Sequence, residues 1–77
     1  MREELLNLLK EEYPDVDFEE ERLVDDGIMD SITLVGVIGT ISMEYGIQIP
    51  YEEIVAENFN SLDAMAALIE GICKNKK

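Results

Sequence analysis

Histidine is absent from the 77 residues, and with it goes the commonest general base at neutral pH. Cysteine occurs once, at Cys73. That excludes an internal disulfide and fits a cytoplasmic protein. Basic residues are scarce: six Lys and Arg stand against 18 Asp and Glu, for a net charge of −12. A nucleic-acid backbone is met by Lys and Arg, so nucleic acid is excluded as a partner, and surfaces with basic patches are the expected ones. No apolar run approaches membrane-spanning length and no signal peptide is read, so no membrane insertion is expected. A chain this short buries about 60% of its unfolded surface. Residues 1–77 are therefore read as a single domain, a monomer, with too little interior to wall off a deep active site. No carboxylate pair or metal cluster has recognisable spacing, and no serine has a histidine to activate it. Neither a catalytic residue nor a metal site is expected. The acidic loop also fails as an EF-hand: counted from Asp15, Glu20 falls where the turn glycine must be, and Asp26 at the twelfth position, normally glutamate.

What is present centres on Gly27-Ile28-Met29-Asp30-Ser31-Ile32. An acidic run enters this stretch and a long apolar run leaves it. Asp30 and Ser31 are both N-capping residue types. Leu34, Ile38, Ile41 and Tyr45 then recur with helical spacing. The pattern predicts a helix over residues 31–45, with Ser31 in its first turn at the mouth of a loop. Unpaired N–H groups and the helix dipole there favour a phosphate, so Ser31 is either a cap or an attachment point for one.

The flanking elements follow in chain order. Residues 2–13 predict a first helix with Leu5, Leu8 and Leu9 as its apolar stripe, Leu6 beside it, and Pro14 as its stop. Residues 14–30 form a long acidic connection, pinned to the core by Val16, Phe18, Leu23, Ile28 and Met29. A short helical turn is expected near Glu20–Val24, and Asp25-Asp26-Gly27 is a turn signal. In the second helix Val35 lies at the edge of the core face, Thr33, Thr40 and Glu44 mark an outer face, and Ile32, Val37 and Met43 point away from the core. Gly36 and Gly39 interrupt this helix at about 1 kcal/mol each. These residues leave a smooth, weakly charged patch beside Ser31, which serves either for packing against a neighbouring helix or for docking a partner. Gly46 is its C-cap, Ile47 and Ile49 are buried loop anchors, and Pro50 opens a short third helix near residues 51–57 with Ile54 and Val55 inward. Asn58-Phe59-Asn60 reads as a loop with an aromatic anchor. Ser61 caps a last helix over residues 62–73, with Leu62, Met65, Ala66, Ile69 and Ile72 inward and Cys73 half-buried. Lys74, Lys76 and Lys77 complement the end of its dipole. The expected fold is all-α: a small four-helix bundle, three helices longer and the third short, with a long loop between the first two.

The run Leu23-Val24-Asp25-Asp26-Gly27-Ile28-Met29-Asp30-Ser31-Ile32 resembles the phosphopantetheine attachment site of the acyl carrier protein family. Tyr45-Gly46-Ile47-Gln48-Ile49-Pro50 resembles that family's exit from the second helix, and Phe59-Asn60-Ser61-Leu62 its entry to the last. The resemblance spans nearly the whole chain in the family's order. It implies that a carrier-protein synthase transfers phosphopantetheine from coenzyme A to Ser31, and that the arm then carries an acyl or aminoacyl thioester. Asp30 matches the acid that precedes the serine, a contact for the transferase or its metal as well as a cap. Docking of partners is expected on Ile32, Val35 and Met43 and on Asp25 and Asp26 in the loop ahead. The implied partners are the synthase and either an adenylating acyl or aminoacyl ligase or fatty-acid and polyketide enzymes. One departure is plain: residues 31–51 hold a single acid, Glu44, whereas fatty-acid carriers are strongly acidic there. The Gly-Ile-Met-Asp-Ser-Ile pattern is closer to D-alanyl and peptidyl carriers. The alternative from another class is an acidic helical interaction module without a cofactor.

Twelve of the 18 acids lie in residues 1–30. Their repulsion opposes compaction and is relieved by screening. The melting temperature at neutral pH is therefore expected to rise with salt or a few millimolar magnesium. A thermal scan that does not move would contradict this reading.

Overall fold

In a computed structural model, residues 1–75 are described. Lys76 and Lys77, assigned above to the dipole of the last helix, lie outside the described residues. Helix α1 runs Arg2–Glu12, α2 Ser31–Tyr45, α3 Ala56–Phe59 and α4 Leu62–Asn75. One turn of 3₁₀ helix, Tyr51–Glu53, precedes α3. No strand occurs among the described residues, so the chain is all-α as its periodicity predicts.

The helices stop and start where local chemistry tells them to. Pro14 cannot follow a helical residue comfortably, and α1 ends with Tyr13 as its C-cap. Gly46 turns left-handed at φ 62° and its N–H donates to the Ser42 carbonyl, closing α2. Ser61 Oγ accepts from the Ala64 N–H at 3.1 Å and opens α4.

Helix α4 packs against both α1 and α3. Leu5 and Leu9 of α1, Val37 and Ile41 of α2, and Leu62, Met65 and Ile69 of α4 fill the interior. Phe18, Leu23 and Met29 from the long loop join them, as do Ile47, Ile49 and Phe59. Among the described residues no polar side chain is buried. Burying a large apolar side chain is worth about 1.5–3 kcal/mol, so this cluster outweighs the exposed pairs of Arg2 with Glu19 and Asp63.

Several expectations are corrected. Val37, read as pointing away, is fully buried, while Thr33 and Thr40, read as outer, are half-buried. Val35, read as the edge of the core face, is 68% exposed. The inward face of α2 is thus rotated toward Val37 and Ile41, and Leu34, Ile38 and Tyr45 pack at its edge. An almost uniformly apolar helix carries too little charge to mark its wet side. Ile28 is exposed rather than pinned to the core, because the adjacent Met29 takes the inward position. The loop's turn lies at Arg22–Gly27, slightly later than expected. The third helix is broken: Val55 is extended at φ −130°, ψ 156° and exposed, so the 3₁₀ turn and α3 are separate. The Asn58 amide donates back to the Glu53 carbonyl at 2.8 Å across that break. Phe59 anchors the core as expected, but as the last residue of α3 rather than in a loop. Cys73 is exposed, near the end of a helix that runs on to Asn75.

The two glycines inside α2 differ in kind. A Cβ at Gly36 would collide with the Tyr13 hydroxyl, whereas one at Gly39 would meet nothing within 4 Å. Gly36 lets the end of α1 lie on α2; Gly39 answers to no contact within the chain. Gly39→Ala is therefore expected to stabilise the protein by about 0.5–1 kcal/mol. Gly36→Ala should push the half-buried Tyr13 ring aside, and that lost contact offsets the helix gain, so it should stabilise less than Gly39→Ala. Urea unfolding of both variants checks this, and equal stabilisation by the two would refute it.

Candidate functional site

The mouth of α2 is built by the loop before it. Gly27 adopts φ 73°, a left-handed conformation that costs glycine nothing and lets the turn reverse. The Asp26 N–H donates to the Arg22 carbonyl at 2.8 Å and the Gly27 N–H to the Val24 carbonyl at 3.1 Å. The buried Met29 then returns its N–H to the Leu23 carbonyl at 2.8 Å. This closes the loop on itself just ahead of Asp30.

Asp30 is the N-cap. Its backbone is extended at φ −78°, ψ 178°, and its Oδ1 accepts from the Thr33 N–H at 2.8 Å. That bond, with others from the Thr33 hydroxyl and the Ile32 N–H, holds the carboxyl below its ordinary range. Ser31 is the first helical residue and is exposed. Because Asp30 supplies the cap, the Ser31 hydroxyl is spared that role. The first turn of α2 itself contains no acid, and the Asp30 carboxylate takes only the Thr33 N–H at its positive end. A phosphate ester on Ser31 Oγ fits this position: it would lie at a helix N-terminus, in solvent, with no side chain to displace.

Of the other hydroxyls near helix starts, that of Thr33 faces the Asp30 carboxylate and that of Ser61 caps α4. Ser61 is also followed by the exposed Asp63 in the first turn of its helix.

The docking residues read from the sequence fall into two groups. Ile32 is 83% exposed and Met43 87%; with Val35 and the open Gly39 they form one apolar stripe running from Ser31 along α2. Asp25 and Asp26 are exposed on the loop, Asp26 within 3.6 Å of Arg22. The site is a surface point rather than a pocket. A groove of about 1060 Å³ lies elsewhere, between α4 and the segment after α2, lined by Ile47, Pro50, Ala67, Leu68 and Ile72. Among the described residues no group of three or more His, Cys, Asp or Glu is placed to hold a metal, and no helix is long and apolar enough to cross a membrane.

One residue of this site escaped the sequence. Asn60, between α3 and α4, reaches back to the loop. Its Oδ1 accepts from the N–H groups of Val24 and Asp25, both at 2.9 Å. Its amide donates to the Asp25 carboxylate at 3.0 Å, and its carbonyl accepts from the Leu23 N–H at 2.8 Å. The one available signal was a loop of unpaired N–H groups in need of an acceptor.

Among the described residues the interior is apolar, and the Ser31 hydroxyl is presented at a helix mouth. The family model described as the phosphopantetheine attachment site matches residues 2–69, and the chain belongs to that family, the acyl carrier proteins. Domains of this family carry phosphopantetheine covalently, are not catalytic themselves, and work with synthases and ligases. No curated protein and no solved structure matches the chain significantly.

The pH dependence of the cap follows from its lowered pKa. A depressed carboxylate stabilises the fold fully above its ordinary value of 3.8, and this contribution disappears as pH falls through the lower folded value. The stability gap between wild type and Asp30→Ala is expected to be level from neutral pH to about pH 5 and to close in stronger acid. Urea titrations across pH measure it; a gap that persists undiminished in strong acid would show that the carboxylate is not the source.

Proposed function

We propose that Ser31 bears the phosphopantetheine and that the chain presents acyl or aminoacyl thioesters on that arm to partner enzymes in the cytoplasm. The observation that carries this is the division of labour at the mouth of α2: Asp30 caps the helix and Ser31 is left exposed and unencumbered. Ser61, which also stands at a helix start, is engaged in capping. Attachment forms a bond from Ser31 Oγ to phosphorus and breaks the pyrophosphate of coenzyme A. Adenosine bisphosphate leaves, and the hydroxyl proton passes to a base on the transferase. The arm then supplies a thiol for the cargo. The chain's own residues hold the serine in solvent, stabilise the phosphate charge at the helix end, and steer basic partners through the acidic loop.

The cargo enzyme we favour is a dedicated adenylating ligase, as for D-alanyl and peptidyl carriers, rather than the fatty-acid elongation cycle. Supporting this, the face of α2 beside Ser31 is Ile32, Val35, Gly39 and Met43, apolar and exposed, with Asp25, Asp26 and Asp30 in the loop ahead of it. Such a face suits a partner with an apolar docking surface flanked by basic groups.

Incubation of apo protein with coenzyme A, magnesium and a permissive carrier-protein synthase, followed by peptide mass mapping, tests the reading. One adduct on the peptide holding Ser31 is expected, absent in Ser31→Ala. That variant stays folded, since it loses no cap. Protein purified from its own host should carry an amino or aryl acid in the same spectra. An adduct surviving in Ser31→Ala, or none on folded wild type with several synthases, would defeat the attachment; long saturated chains would defeat the ligase.

A further inference from the structure

We infer that Asn60 is a positioning residue for the modification of Ser31, setting the shape of the loop that the transferase grips. This rests on the attachment proposed above and adds a determinant far from the serine in sequence. Asn60 holds three consecutive loop residues at once. Its carbonyl takes the Leu23 N–H, its Oδ1 takes the Val24 and Asp25 N–H groups, and its amide fixes the Asp25 carboxylate. Leu23 in turn takes the Met29 N–H through its own carbonyl, one residue before the cap Asp30 and two before Ser31. A continuous hydrogen-bonded path thus runs from the junction of α3 and α4 to the mouth of α2. The apolar anchors of this loop, Leu23 and Met29, are buried without help from the Asn60 side chain. What the side chain adds is the orientation of the half-buried Val24 and the exposed Asp25, together with the direction of the Asp25 carboxylate.

A separation of function follows. Truncating Asn60 removes the acceptor for two amides, one part-buried and one exposed, while Leu23 and Met29 stay in the core, so the loop between them samples other shapes. A transferase that recognises one of those shapes then binds in proportion to its population, and KM rises by the inverse of that fraction. Once the loop is bound, Ser31 is presented as before and kcat is unchanged.

The test is steady-state phosphopantetheinylation of wild type, Asn60→Ala and Asn60→Asp by one carrier-protein synthase, with amide hydrogen exchange on the same proteins. For Asn60→Ala we expect KM for the carrier to rise about tenfold at unchanged kcat. The Val24 and Asp25 amides should lose protection while those of Ile41 and Ile69 keep it. Asn60→Asp retains acceptors for both amides but sets a new carboxylate against that of Asp25. It should show a smaller rise in KM that added salt reduces, and it carries the test should Asn60→Ala unfold. A KM unchanged in both variants, with wild type modified normally, overturns this inference alone. A fall in kcat at constant KM, or global loss of protection in both variants, assigns Asn60 a structural role and overturns it as well. Wild type that accepts no arm overturns the attachment at Ser31 and this inference with it.

Discussion

The loop between α1 and α2 sets the terms for the rest of the molecule. It lacks the repeating hydrogen bonds of a helix, yet it must deliver Asp30 and Ser31 to a fixed place. Its backbone groups need partners, and water alone would leave them mobile. Two devices meet the need. Leu23 and Met29 anchor the loop in the core and bond to each other through the backbone, and Asn60 reaches in from the far side of the fold to satisfy the residues between. The loop ahead of the serine is therefore held in part by a residue 29 positions beyond Ser31.

The same economy governs the interior. With 77 residues there is room for one cluster of apolar side chains and nothing else, and no polar side chain is buried among the described residues. The family's role fits such a body: its domains are not catalytic themselves, carry phosphopantetheine covalently and work with synthases and ligases.

Charge and apolar surface are distributed to complementary effect. The acids concentrate in α1 and the long loop, while the outer stripe of α2 is Ile32, Val35, Gly39 and Met43. A net charge of −12 opposes association of copies through this exposed apolar stripe and favours encounter with basic surfaces. No contact within the chain requires Gly39, which lies open on that stripe.

The sequence by itself determined where α1 and α2 stop, where α2 and α4 start and where the candidate serine lies. Pro14, Gly46 and Ser61 act through their own backbone neighbours, and such local physics is written locally. Asp30 before Ser31 announced the helix mouth for the same reason. Tertiary structure alone decided the rotation of α2, which buries Val37 and exposes Val35, because a helix apolar nearly all round takes its orientation from what packs beneath it. It decided the break between the 3₁₀ turn and α3, where Ile54 packs inward and Val55 does not. It assigned Gly36 to Tyr13 and left Gly39 open, though the two are alike in sequence. And it brought Asn60 to Asp25, a contact across 35 residues that no local pattern encodes, because only closure of the chain puts that acceptor beside those amides.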